Sequence, residues 1–172
     1  MMRANRWKLM SAALVLIMAL LAAANGQAAE QIPLSKGQIV YVPAYSHIYS
    51  GNREQAFLLT VTLSIRNVDL AEPITLTRVE YYETQGKFLR KYLEKPVILK
   101  SLESTRYIVP QKDEAGGSGA NFIVEWRSDK AINPPIIESV MIGTQSQQGI
   151  SFTSRGQAIH VLPCRNMAAQ KS

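Results

Sequence analysis

An alternation of apolar and polar residues over positions 57–66 constrains the fold of this chain more than any other feature. The apolar members of the alternation are Phe57, Leu59, Val61, Leu63 and Ile65, with polar residues at positions 60, 62, 64 and 66. Successive side chains of a β-strand point to opposite faces, so this pattern predicts a strand with one buried face. The chain is therefore expected to build a β-sheet that packs on a core.

One predicted strand changes phase part-way along its length. Ile74 and Leu76 share a face, and Val79 and Tyr81 then take over one residue out of step. A slip of one residue leaves an extra residue in the strand, which is the definition of a β-bulge. The sequence therefore predicts a bulge at positions 77–78.

The other strands are predicted from short runs bounded by turn signals. Trp126 lies in one of them and is expected to anchor the core, and Gln85-Gly86 is a predicted hairpin turn. No run of ten or more residues after position 28 keeps the apolar stripe of a helix. The predicted strands are residues 38–42, 57–66, 74–83, 87–93, 97–99, 105–109, 121–127, 136–142, 150–154 and 157–161.

Short strands without helices predict an all-β fold of antiparallel sheets. No barrel-closing pattern repeats, so a two-sheet sandwich of immunoglobulin or fibronectin type is expected. The sequence shows no internal repeat and no interdomain linker. One β-sandwich domain is therefore predicted over residues 29–163, followed by a polar tail at residues 164–172.

Residues 1–28 are typical of a cleaved signal peptide. A basic start at Arg3, Arg6 and Lys8 precedes an unbroken apolar run at positions 12–24. Small residues then lead to a cleavage site near Ala28. The run is shorter than the roughly 20 apolar residues of a membrane span. The mature protein is therefore expected in the periplasm or outside the cell, without a transmembrane segment.

Charge and cysteine content narrow the function classes further. The formal net charge is +6, but three of the basic residues lie within the predicted signal peptide. A nucleic-acid-binding protein usually has a stronger and more clustered excess of positive charge, so that class is not expected. Cys164 is the only cysteine and cannot form an intramolecular disulfide. In an oxidising compartment it can cross-link two chains or stay a free thiol.

Gly116, Gly117, Ser118 and Gly119 form the only glycine-rich loop. Successive backbone N–H groups of such a loop can converge on an anion. However, a strand follows this loop where phosphate-binding loops have a helix, and no Gly-Lys-Ser or Gly-Lys-Thr ends it. A structural turn is the favoured interpretation, and contact with a ligand is the alternative.

Tyr41, Tyr45, His47 and Tyr49 occupy alternate positions, so an extended chain places them on one side. Such a row can stack on sugars or hold an extended peptide. It can equally pack beneath an edge strand, because a tyrosine buries its ring while the hydroxyl stays in water. With two histidines and one cysteine in the chain, a zinc site would need several carboxylates, so no metal or cofactor is expected.

Six segments together match one family pattern: residues 40–46, 63–67, 79–82, 116–122, 141–144 and 148–156. Over residues 40–156 the chain resembles a bacterial exported family, domain of unknown function 3124. The resemblance implies an exported sandwich-type protein with no assigned activity, ligand or active site. Many members carry a lipidated cysteine near the start, and this chain has no cysteine just after its apolar run.

The polar residues 145–149 and 153–156 suggest one further site. If they meet the glycine loop, Arg155 can supply charge to a shared polar site. The candidate ligand-binding residues are therefore Gly116, Gly117, Ser118, Gly119, Arg155, Tyr45 and His47.

No catalytic set is recognised, so the leading prediction is a non-catalytic binding or envelope-associated module. A protein, glycan or envelope component is the favoured partner, through a sheet edge or end loops. One alternative is an enzyme that acts on a phosphorylated or glycan substrate through polar loops. Another is a structural module of the envelope, since fold alone does not decide function.

Overall fold

A computed structural model describes residues 33–49, 55–145 and 148–163, and these residues form antiparallel sheets. The all-β prediction is confirmed, because no helix occurs in the part of the chain that is described. The strands are β1 (Ser35–Pro43), β2 (His47–Tyr49), β3 (Ala56–Leu58), β4 (Thr60–Arg66), β5 (Ile74–Tyr82), β6 (Phe88–Lys91), β7 (Val97–Leu99), β8 (Ser104–Val109), β9 (Asn121–Ile132), β10 (Ile136–Gln145), β11 (Gln148–Arg155) and β12 (Gln157–Val161).

Two larger sheets pack together in a sandwich-like arrangement. The first sheet has the order β12-β1-β9-β5-β6, with β7 also paired to β5. The second sheet has the order β11-β10-β4-β8, and β2 pairs with β3 in a separate two-stranded ladder. Sequence neighbours β10 and β11 form a hairpin, whereas β1 pairs with strands that come much later in the chain.

The core consists of the inward-facing rows of both sheets. Trp126 and Phe122 of β9 are fully buried, and so are Val61, Leu63 and Ile65 of β4. Burying a large apolar side chain contributes roughly 1.5–3 kcal/mol to folding. The alternation that predicts these strands therefore also identifies the residues that hold the two sheets together, and the prediction that Trp126 is buried is confirmed.

The predicted bulge in β5 is confirmed. The register between β5 and β9 shifts between Leu76 and Arg78. Leu76 and Val79 are both fully buried although three positions separate them. The extra residue therefore returns the strand to phase, and both ends of β5 contribute to one core.

The prediction of one continuous strand over residues 57–66 is wrong, because the strand breaks at Leu59. The Leu59 N–H donates to the Ser46 carbonyl oxygen at 2.9 Å, outside either large sheet. Residues before the break pair with β2, and residues after it pair with β8 and β10. Leu58 is also the one apolar residue out of step with the alternation. Leu59 itself is fully buried, so the predicted inner face is confirmed.

Gly156 is the corner at which the chain crosses from the second sheet to the first. Its N–H donates to the Ile137 carbonyl oxygen at 2.8 Å. A Cβ at this position would lie 2.7 Å from Val40 Cγ1 and 2.9 Å from the Ile137 oxygen, closer than real Cβ atoms come. The absence of a side chain therefore allows β12 to leave β11 and pair with β1.

Candidate functional site

The glycine loop is hydrogen-bonded to the protein on both sides. The Gly117 N–H donates to Ser46 Oγ at 2.8 Å, and the Gly119 N–H donates to Thr84 Oγ1 at 3.1 Å. Gly117 has φ near +79°, which favours glycine. Two of the N–H groups that an anion would need thus already have partners. These contacts are those of a structural turn, the favoured interpretation of the sequence.

Ser46 and Thr84 attach this loop to the rest of the fold, a role that no local sequence pattern indicates. The Ser46 N–H donates to the Gly117 carbonyl oxygen at 3.0 Å. The backbone N–H and the hydroxyl of Thr84 both donate to the Gly116 carbonyl oxygen at 3.0 Å. The loop therefore holds the connection after β1 against the turn after β5.

Tyr45 and His47 flank Ser46, so the structure brings both close to the glycine loop. The Tyr45 ring packs edge-on against Phe152, with 5.7 Å between centroids. His47 Nε2 lies 3.1 Å from Tyr49 Oη, and the two rings also pack edge to face. Both side chains are thus engaged with neighbouring aromatic residues, as expected for the packing alternative.

No hydrogen bond or ion pair among the described residues joins Arg155 to the glycine loop, so the shared polar site stays a hypothesis. The loop contacts Ser46, which is bonded to Leu59 at the start of β4, and that end of β4 pairs with Ile142. Arg155 instead pairs with Glu138, four residues earlier in β10. Four strand residues span about 13 Å. The two places are therefore offset along β10 by about four residues, and no described contact joins them in one site.

Arg155 lines a cleft of about 480 Å³ beside the crossing at Gly156. We call it the Arg155 cleft. Its walls are mostly apolar, and Gln38, Asn133 and Arg155 are its polar side chains. This volume lies within the range that suits small-molecule sites. The lining residues are Gln38, Val40, Val68, Asn133, Pro134, Pro135, Ile136, Ile137, Arg155, Gly156 and Ala158.

Gln38 is the most unusual residue of the cleft. It shares the inward-facing row of β1 with Val40 and Val42, and it is only 9% exposed. No hydrogen bond joins its side-chain amide to any residue that the structure describes. The fully buried side-chain atoms that lack a hydrogen-bond partner all belong to other residues. The Gln38 amide therefore keeps some accessible surface. It therefore opens on the cleft.

The sequence itself carries a signal for Gln38. Gln38, Val40 and Val42 alternate, which places a polar residue in an apolar inward row. A buried amide without a hydrogen-bond partner lowers stability. Such a position therefore indicates a place where water or a ligand can supply the missing hydrogen bonds.

The Arg155 guanidinium carries a charge that its surroundings do not neutralise. It forms no ion pair within 4 Å among the described residues, and its cross-strand neighbour Glu138 pairs with Arg66 at 3.8 Å. On the outer face of the first sheet, by contrast, Arg127 pairs with Glu125 at 3.2 Å and Arg78 lies 3.7 Å from the same carboxylate. The cleft therefore offers a cation to a ligand.

Buried tyrosines lie at the opposite side of the molecule, between β5, β6 and β8. Burial raises the pKa of Tyr81, and the nearby Asp113 carboxylate raises it further. Burial also raises the pKa values of Tyr92 and Tyr107. Arg90 bridges this region through an ion pair of 2.9 Å with Asp113. The rings of these tyrosines belong to the packing of the sheets.

Metal binding has no support in the described parts of the chain. They contain no group of three His, Cys, Asp or Glu residues arranged to hold an ion. A search of the same residues for a helix of sufficient length and apolarity to cross a membrane found none. Cys164 and the proposed signal peptide lie outside the described residues.

Comparison with known proteins places the chain in a sequence family. The family model described as a protein of unknown function (DUF3124) matches residues 37–159, a range that includes the glycine loop and every residue of the Arg155 cleft. No curated protein matched the chain. A solved structure, the crystal structure of Thermotoga maritima 1070, is similar at 12% identity and a TM-score of 0.41, over 73% of this chain and 97% of that one.

Proposed function

Because the chain belongs to the DUF3124 family, whose members have no known function, we propose a function from the geometry of the cleft. The protein is an exported, non-catalytic β-sandwich domain that binds a small ligand in the Arg155 cleft. The observation that carries this proposal is Gln38, a residue only 9% exposed whose amide has no partner among the described residues, in one cleft with Arg155, which forms no ion pair among them. A ligand that accepts hydrogen bonds from both would satisfy groups that the fold leaves open.

The residues of the cleft support recognition without catalysis. Arg155 is the one ionisable side chain among the lining residues. A guanidinium stays protonated at all ordinary pH values, so it cannot exchange protons as a general acid or base. Gln38 and Asn133 are neutral amides that bind and orient. No side chain that lines the cleft can therefore act as the acid or base that the enzyme alternative would need at this site.

Export is part of the proposal and is supported by the pattern of residues 1–28. The basic start, the apolar run and the small residues before Ala29 have the order of a signal peptide. A periplasmic or secreted location follows, with a ligand drawn from the cell envelope or its surroundings. The immunoglobulin- or fibronectin-like classification of the sandwich stays a prediction within this proposal, supported by the two packed antiparallel sheets.

The proposal is tested by filling the cleft. Ala158 lines the cleft from β12, so Ala158→Trp should occupy the space with an indole ring. We expect small-molecule fragments to perturb the NMR signals of Gln38 and Arg155 in the unchanged protein and to have no effect there in the variant. Thr153→Trp is the matched control, because Thr153 is exposed on β11 and does not line the cleft.

Two results would overturn the proposal. One is fragment binding that maps only to other surfaces of the folded protein. The other is unchanged binding at Gln38 in folded Ala158→Trp. Amide spectra that keep their dispersion would show that both variants are folded.

A further inference from the structure

We propose that the ligand of the Arg155 cleft is a carboxylate on an apolar body, such as a medium-chain or aromatic acid. This inference rests on the proposed function and adds the chemical class of the ligand. It draws on three properties of the cleft: its charge, the donors at its polar end, and the walls that surround the rest.

The charge of the cleft selects an anion. Arg155 is its single charged side chain, and no acidic residue lines it. Glu138 is the cross-strand neighbour of Arg155, but its carboxylate forms its ion pair with the Arg66 guanidinium at 3.8 Å. A guanidinium presents planar donors that match the two oxygens of a carboxylate. A ligand with a positive charge would meet uncompensated repulsion.

The number of charges favours a carboxylate over a phosphate. One arginine balances one negative charge, and the other polar side chains, Gln38 and Asn133, are neutral amides. Their NH₂ groups can donate to a carboxylate oxygen that Arg155 does not occupy. A phosphate monoester carries close to two charges at neutral pH and would keep one uncompensated.

The walls favour an apolar body over a sugar. Val40, Val68, Pro134, Ile136 and Ala158 line the cleft and offer no side-chain hydrogen-bonding group. Sugar hydroxyls placed against them would lose their bonds to water without replacement, which is costly. Methylene or aromatic groups would instead gain from leaving water. The volume of about 480 Å³ limits the ligand to a small molecule.

Octanoate and octanol provide a direct test, because they share an alkyl body and differ in the charged end. Binding of each to the mature protein is measured by isothermal titration calorimetry at neutral pH. We expect octanoate to bind about ten-fold more tightly than octanol, since a charged hydrogen bond to Arg155 is made only by octanoate. Acetate, which has the carboxylate without the body, should bind more weakly than octanoate.

Three variants assign the effect to residues. Arg155→Gln should weaken octanoate binding about ten-fold and leave octanol binding unchanged. Gln38→Leu should weaken octanoate alone, because it removes the amide and keeps the wall apolar. Arg106→Gln is the matched control: it removes an equal charge on β8 of the same sheet, outside the cleft, and should change octanoate affinity by less than about two-fold.

The outcomes separate this inference from the proposed function. Equal affinities for octanoate and octanol, both lost in Ala158→Trp, would overturn the carboxylate and leave a ligand-binding cleft. Acetate binding as tight as octanoate would overturn the apolar body. If none of the probes binds, the inference is overturned. The fragment experiment then decides whether the cleft binds a ligand at all. Thermal unfolding of each variant shows whether it is folded, and Arg155→Gln alters an exposed residue.

Discussion

At the scale of single residues, neighbouring tyrosines of β5 show how much the surroundings of a hydroxyl matter. The Tyr81 hydroxyl is buried and has no hydrogen-bond partner among the described residues. The next residue, Tyr82, donates its hydroxyl to Glu80 Oε2 at 2.7 Å. An unpartnered buried hydroxyl lowers stability, whereas a hydrogen bond to a carboxylate raises it. Consecutive positions in one strand thus give the same residue type opposite effects.

We expect Tyr81→Phe to leave the free energy of unfolding unchanged or raise it by about 1 kcal/mol, because it removes an unsatisfied group. Tyr82→Phe should lower it by about 1 kcal/mol. Urea unfolding followed by Trp126 fluorescence measures both. A loss of stability in Tyr81→Phe equal to that in Tyr82→Phe would contradict the absence of a partner for the Tyr81 hydroxyl.

The pKa values of both tyrosines are raised, that of Tyr82 mainly by its hydrogen bond to Glu80. Burial raises the pKa of Tyr81 above its ordinary value. Its contribution to stability is complete below about pH 10, where the unfolded phenol ionises, and is lost as pH rises towards the folded pKa. Tyr81→Phe should therefore lessen the fall in stability above about pH 10.

At the scale of elements, local patterns predict strands well where the cause lies within the strand. The bulge in β5 is visible because Leu76 and Val79 reveal the slip by themselves. The break at Leu59 is not visible in the sequence, since it depends on a hydrogen bond to Ser46 across a turn of the chain. Nor is β2, because it is formed by pairing with β3, a contact that no local pattern shows.

The crossing between the sheets yields a prediction about Gly156. Gly156→Ala should destabilise the protein by about 1–3 kcal/mol, because its Cβ would overlap Val40 and the Ile137 carbonyl oxygen. Gly149→Ala is the matched control in β11, where a Cβ would meet nothing within 4 Å. Differential scanning calorimetry should show a lower melting temperature for Gly156→Ala alone. Equal melting temperatures for both variants would contradict the close approach at this corner.

At the scale of the whole molecule, the site could be predicted only in part. The sequence identifies Arg155 as a candidate but does not decide whether it meets the glycine loop, since residue spacing does not show which ends of the strands meet. Strand order decides this, and it depends on contacts between distant segments. Gln38 belongs to the cleft because β12 returns beside β1, an arrangement that no local pattern reveals.

Export of the whole chain can be checked directly. Expression of the full sequence in a Gram-negative host should give a periplasmic protein whose mass corresponds to a start at Ala29. Replacing an apolar residue of the run by a charged one, as in Leu16→Arg, should retain the uncleaved chain in the cytosol. Intact-mass spectrometry of each fraction gives the result. Uncleaved wild-type protein in the cytosol would contradict the proposed location.

The pairing of β1 with β12 also determines how the domain responds to mechanical force. The two strands are antiparallel, with Gln38 opposite Val161 and Tyr41 opposite Gln157. A pull that enters before Ser35 and leaves after Val161 acts on neighbouring ends of these strands. The ladder is then loaded one hydrogen bond at a time, in the geometry of a zipper. Tension along the chain would therefore peel β12 from its neighbour, and with it one wall of the Arg155 cleft.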